Sequence, residues 1–188
     1  FISLLGGVPS VFAEGRSWDL DKAHSNFFFS VDHIYSKVRG HFSDFSGSVH
    51  FDPANLDKSS LSFSIAVKSI DTGIGKRDKH LLSADFFDEG KYPKLTFESN
   101  SIEDAGNSVY NVKGKFTVKG KTYDLTLPLK LEGVKDHPVE KGKEVAGFNG
   151  TVTINRLDYG IGTGKFFDYG VVGKDVEIFV SIEVLSKK

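Results

Sequence analysis

The chain has 188 residues, a formal charge of −1 and 39% hydrophobic residues, the length and balance of one domain able to bury its own core. The near-neutral charge excludes a broad basic face for nucleic acid and an acidic disordered tail. Cysteine is absent, which removes disulfides, thiolate metal sites and cysteine nucleophiles together.

FISLLGGVPSVFAEG opens on a short apolar segment ending in Val11-Phe12-Ala13, the small-x-small pattern of a signal-peptidase site. Residues 1–13 read as the remnant of a secretory signal, with 14–188 as a single mature domain. An ordinary N-terminal arm is the alternative.

Period-two alternation dominates the rest of the chain, the mark of antiparallel strands with one apolar and one polar face. Phe27, Phe29 and Val31 open it, and Leu61, Phe63, Ile65 and Val67 continue it. The same phase runs through Tyr110 to Val118, Tyr123 to Leu131, Phe148 to Ile154 and Val176 to Val184. Eight strands are predicted, at 26–33, 38–51, 61–70, 94–102, 109–119, 121–132, 146–155 and 174–185. The second bends near Ser46-Gly47, where its alternation changes phase. Lys119-Gly120 predicts a tight hairpin and Asp104 to Asn107 another turn. The only helical segments are a short one near 76–84 and a turn within 53–60. Eight one-sided strands close economically as a barrel or pack as a sandwich. The barrel is the better reading because it leaves no exposed edge and has room for one small ligand.

An internal echo joins Ile70-Asp71-Thr72-Gly73-Ile74-Gly75 to Leu157-Asp158-Tyr159-Gly160-Ile161-Gly162. Each is followed by Phe-Phe-Asp, at Phe86 to Asp88 and Phe166 to Asp168. Both copies follow strands, which makes them candidate rim or lid elements.

The stretch RDKHLLSADFFDEGKYPKLTF, 77–97, is the densest in chemical groups. His80, Asp85 and Asp88 could ligate a metal, but no HExxH or paired-His spacing occurs, and the acids fit caps and turns better. Gly160 to Lys165 is glycine-rich, yet Phe166 stands where a phosphate loop needs Ser or Thr, and no helical pattern comes after it. No G-x-S-x-G elbow is present, so a hydrolase is a minority reading. Seventeen phenylalanines need a large apolar interior. They serve either a dry packed core or a Phe-lined tunnel, with Arg77, His80 and Lys165 at its mouth; alternation alone leaves both open.

Trp18-x-x-Asp21-x-x-His24-Ser25, Phe29-x-Val31-x-His33 and Val38-x-Gly40-x-Phe42-x-x-Phe45-x-Gly47 resemble the opening of the YceI-like family. Ser69 to Gly73, Arg77-Asp78-x-His80-Leu81, Asp85 to Asp88 and Tyr92-Pro93 resemble its central block, and Arg156-x-Asp158-x-Gly160 its ending. The resemblance implies a lipocalin-like, eight-stranded antiparallel barrel with a short helical segment. It implies a bacterial periplasmic protein that binds a polyisoprenoid lipid, either an isoprenoid quinone or a polyprenyl phosphate, in the lumen. No catalytic cofactor, metal or bond chemistry is implied. The expected lining is Phe29, Val31, Phe42, Phe45, Ile65, Val67, Leu82, Phe86, Phe97, Phe116, Val118, Ile154 and Phe166. Arg77 and His80 are the candidate head-group contacts, and Asp71 and Asp78 brace the loop. Expected partners are the lipid itself, transiently a membrane or membrane protein, and a second copy in a homodimer, with no nucleic acid. The competing reading is a stress-protective structural barrel with a protein partner.

Overall fold

The computed structural model describes residues 16–162 and 164–188; the 1–13 segment lies outside them. The strands are β1 (Ser17–Leu20), β2 (Asn26–His33), β3 (Ser36–Phe42), β4 (Phe45–His50), β5 (Ser60–Ala66), β6 (Ile70–Asp71), β7 (Lys94–Gly106), β8 (Val109–Val118), β9 (Lys121–Asp136), β10 (Lys143–Asn155) and β11 (Val172–Lys187). Two short helices, α1 (Gly75–Leu81) and α2 (Gly164–Asp168), lie outside the wall.

These segments make eight staves, because β1 and β2, β3 and β4, and β5 and β6 are successive pieces of interrupted strands. Each stave pairs antiparallel with its chain neighbours. The ring closes where β11 pairs with β2 along Val176 to Ser181 and with β1 at Val184 and Leu185. The result is the closed antiparallel barrel that the alternation predicts.

The second stave breaks at Ser43-Asp44, three residues before the predicted bend. Phe42 and Phe45 are both buried, yet three residues apart they would face opposite ways in an unbroken strand. The break turns both inward. The neighbouring stave breaks in step, through a 3₁₀ turn at Val67–Ser69. Ser43 N–H donates to Ser69 O and Ala66 N–H to Asp44 O, which ties the two breaks together. Gly47, which suggested the bend at Ser46-Gly47, is small for another reason: a Cβ there would lie 2.6 Å from the Phe63 ring.

Lys119 and Gly120 both have positive φ, as a two-residue type I′ hairpin requires. The other hairpin turns at Asn107-Ser108, later than predicted, because Asp104 to Gly106 stays in the ladder as an irregularity. Strand β1 and helix α2 were not predicted; at four and five residues neither is long enough to show a period. None of the helices among the described residues is long and apolar enough to cross a membrane.

The two ends of the barrel differ. At one, here called the floor, Phe51 packs edge-on against Tyr110 (4.9 Å) and Phe148 (5.1 Å). Trp18 donates from its indole to Phe51 O at 3.0 Å, and Val49, Val112, Leu129 and Val184 are almost wholly buried. The other end carries the β2–β3 and β8–β9 hairpins, α1 and α2, and is here called the lid.

Gly114 sits where β7 and β8 shift register, and a Cβ there would lie 2.3 Å from Glu98 O and 2.8 Å from the Phe97 ring. Gly114→Ala should therefore cost about 1–3 kcal/mol in urea unfolding. Gly133→Ala, with nothing within 4 Å, should change stability by no more than about 0.5 kcal/mol.

Candidate functional site

The inward residues of the lid half leave free space. Phe42, Phe63, Phe97 and Phe116 make one wall, while Val31, Leu125, Val152, Val176 and Ile178, with shorter side chains, make the other. The short wall does not reach the aromatic one, and a cavity of about 150 Å³ lies between them. Of its lining among the described residues only Thr96 and Arg156 are polar.

Two flaps roof the cavity, and they are the two copies of the sequence echo. The first runs from β6 through α1 to β7 and lowers Leu81, Phe86 and Phe87 onto it; the second runs from β10 through α2 to β11 and contributes Arg156 and Ile161. The flaps meet where the ring of Phe86 stacks on that of Phe166, centroids 5.4 Å apart. Lys119 spans them from the β8–β9 hairpin, donating to Ala84 O (3.0 Å) and Gly160 O (3.1 Å).

Nine of the thirteen residues expected to line a lumen border this cavity: Phe29, Val31, Phe42, Ile65, Phe86, Phe97, Phe116, Val118 and Ile154. Four do not. Phe45 points inward below the strand break and packs on Phe27 at 4.9 Å. Val67 is buried in the 3₁₀ turn. Leu82 caps α1, and Phe166 forms an outer layer over Phe86. Leu125, Val152, Val176 and Ile178 were missed, although each belongs to the apolar alternation of its own strand.

Arg77 and His80 lie outside the cavity, which corrects their expected placement. The Arg77 guanidinium is used locally, donating to Thr72 Oγ1 (2.7 Å) and Thr72 O (2.6 Å). His80 lies outside the roof, edge-on to Phe86 and bonded to Asp85 at 3.1 Å. That hydrogen bond, helped by the charge of Lys165, holds the Asp85 carboxyl below its ordinary range. Lys165 itself is exposed, over the Phe166 ring. Asp71 and Asp78 accept backbone N–H groups of Gly73 and Thr72, the bracing the loop needs.

Arg156 was not foreseen as part of the site. Only 2% exposed, it donates to Gly173 O (2.7 Å), Ile161 O (2.8 Å), Gly162 O (3.4 Å) and Val172 O (2.9 Å). Burial lowers its proton affinity, but a guanidinium stays charged in a protein. The glycine-rich segment beside it leads into α2, contrary to the expected helix-free loop; five residues anchored by Phe166 form only a single turn.

Two polar groupings outside the cavity bear on the catalytic and metal alternatives. Ser48 Oγ lies 3.1 Å from His50 Nε2, but on the outer face, and His50 Nδ1 has no partner to orient it. Asp21, His24 and Glu183 gather near the floor. There Asp21 caps a turn, its two oxygens taken by Ala23 N–H and His24.

Comparison with known proteins agrees with this architecture. The model of the YceI-like domain matches residues 18–184. A UPF0312 protein of Vibrio cholerae is 38% identical over 144 residues, 76% of this chain and 75% of its own length. The crystal structure of Burkholderia cenocepacia BcnA superposes with a TM-score of 0.78 at 32% identity, covering 88% of this chain and 99% of its own. A polyisoprenoid binding domain from Saccharophagus degradans shares the fold, with a TM-score of 0.64 at 15% identity, over 90% of this chain and 98% of its own.

The Asp21–His24 pair makes a pH test of the floor turn. Asp21, by hydrogen bond and then by charge, holds His24 above the ordinary imidazole value, and the same bond holds Asp21 below the ordinary carboxylate value. His24's share of stability is present below about pH 6.5 and lost as pH rises through its raised pKa. Asp21's share is present above about pH 3.9 and lost as pH falls through its lowered pKa. The melting-temperature gap between wild type and His24→Gln should be widest between those values and narrow above them. A gap that stays constant from weakly acidic to alkaline pH would remove the pair from the stability of the turn.

Proposed function

We propose that this chain, which belongs to the YceI-like domain family, is a periplasmic carrier that holds a long-chain isoprenoid lipid in its lumen and makes or breaks no bond. The observation that carries the reading is a roofed cavity lined almost entirely by hydrocarbon. The binding specificity in the name of the Saccharophagus domain agrees with it.

Each CH₂ removed from water is worth roughly 0.8 kcal/mol, so a prenyl tail cannot cross an aqueous compartment unshielded. Bilayer hydrocarbon is equally apolar, which makes uptake and return nearly balanced. The free space of about 150 Å³ is below the roughly 300–1,000 Å³ typical of ligand pockets, so in this reading the two flaps are closed over the lumen. A tail of many carbons enters only as the two flaps part, loosening the Phe86–Phe166 stack and the Lys119 bridge.

The packed floor directs loading to the lid end. There Ile34, Tyr35, Ile74, Phe167 and Tyr169 are all exposed, Tyr35 completely. Hairpin tip and α2 flap are neighbours, with Ile34 N–H donating to Val171 O at 3.1 Å. In this reading these apolar tips meet the bilayer while the flaps open. A purely structural barrel has no use for the unfilled half of the lumen.

Native mass spectrometry of protein from its host, followed by organic extraction, should find one prenyl lipid per chain. A protein that is empty and also refuses isoprenoid quinone in vitro overturns the carrier reading. The double variant Tyr35→Ser/Tyr169→Ser should slow uptake from vesicles several-fold and leave uptake from detergent micelles unchanged. Equal rates from vesicles would place the membrane contact elsewhere. Phe86→Ala should lower lipid retention several-fold, because it opens the roof where the two flaps meet. Unchanged retention in a variant with native circular dichroism would take Phe86 out of the site.

A further inference from the structure

We propose that the lumen has a second mouth in its side, a seam between β9 and β10 through which the hydrocarbon chain of a ligand slips sideways. The inference rests on the carrier reading and gives it a route.

β9 and β10 pair from Asp136 and Glu144 as far as Lys130 and Asn149, and among the described residues no pair follows toward the lid. Each strand continues with its other neighbour, β9 on β8 up to Lys121 and β10 on β11 up to Asn155. The two therefore turn unpaired edges toward each other, a feature that sheets otherwise avoid. The sequence accounts for the parting. A register shift at Gly147-Phe148 bends β10. Pro128 stands at the foot of the open stretch, and an edge is the place a sheet gives proline. Gly150 makes the last close approach, since a Cβ there would lie 2.3 Å from Pro128 O. Thr151 to Asn155, at about 3.4 Å per residue, makes the seam roughly 15 Å long.

The seam opens on the cavity. Leu125 and Leu127 on one edge, and Val152 and Ile154 on the other, all border the free space. Side chains close it in place of a ladder. Tyr159 of the second flap is buried against Phe116 (5.6 Å) and Tyr123 (5.0 Å). Lys121 Nζ and Tyr123 Oη donate to Asp158 O at 3.0 and 3.2 Å, and Lys119 Nζ donates to Gly160 O at 3.1 Å. Every one of these ties runs from the β8–β9 hairpin or β9 to the second flap. The movement that parts the flaps therefore also lifts Tyr159 away from the seam, with no strand pair to unzip. A slot continuous with the lid end lets a long chain leave the bilayer along its length instead of threading end first. Less of it is then exposed to water at any moment, and each exposed CH₂ is costly.

The chain has no cysteine, so an engineered pair is the only target for a thiol reagent. Thr126→Cys/Thr153→Cys places thiols at exposed positions on the two edges, to be strapped with a short bis-maleimide and verified by intact mass. Uptake of ubiquinone from phosphatidylcholine vesicles should be at least tenfold slower in the strapped protein than in the same variant capped with N-ethylmaleimide. Equal rates overturn the seam and leave the carrier reading standing. Lys121→Met/Tyr123→Phe, which cuts two ties and leaves the lining intact, should speed uptake and release several-fold. Unchanged rates in this folded variant overturn the seam as well, and it decides alone should the strap not form. A wild type that takes up no ubiquinone is a different result, since it removes the carrier reading and this inference with it.

Discussion

Closure of β11 onto both halves of the first stave is the interaction on which the rest of the structure depends. The sixteen residues of β11 pair with β2 near the lid and with β1 near the floor. The wall is then a closed ring of paired strands, in which β9 and β10 are paired from Lys130 and Asn149 toward the floor. A barrel held in this way does not need its lumen filled in order to stand. That is why one half can be packed solid and the other left hollow.

The hollow has an energetic meaning. At about 24 cal/mol per Å³, an unfilled 150 Å³ costs on the order of 3–4 kcal/mol relative to a filled core. That is a large fraction of the roughly 5–15 kcal/mol by which a domain is stable. Larger side chains at Val31, Val152 and Val176 would reduce the cost. The chain keeps small residues there, with seventeen phenylalanines elsewhere, and so carries the penalty of the unfilled space. A ligand that fills the space returns it.

Alternation made the barrel legible, because each strand has one buried face and a period of two residues records which one. It failed where the chain leaves the ladder. Phe42 and Phe45 share a face only through the break at Ser43-Asp44, and Val67 turns away from the cavity because a 3₁₀ turn interrupts its strand. The four expected residues that do not border the cavity all lie at a break or on a flap, whereas Leu125, Val152, Val176 and Ile178 lie on unbroken strands whose phase was legible and were passed over. The echo between 70–75 and 157–162 was the better guide to the flaps, and it pointed to both halves of the roof.

Arginine placement was the hardest to read, and the reason is physical. Arg77 and Arg156 both come after a strand, both sit beside an Asp-containing turn, and both could reach a lumen or a loop. What separates them is the nearest acceptor. Arg77 lies five residues from Thr72, whose hydroxyl and carbonyl take its guanidinium outside the cavity. Arg156 finds its acceptors from Ile161 to Gly173, across a flap whose path only the folded chain defines. A Cβ at Gly162 would lie 2.7 Å from Arg156 Nη1 and 2.8 Å from the Phe86 ring, so the absence of a side chain there lets the flap settle over both. Among the described residues, the one charge in the lining of the lumen is thus given room by a glycine in its own flap and covered by a phenylalanine from the other.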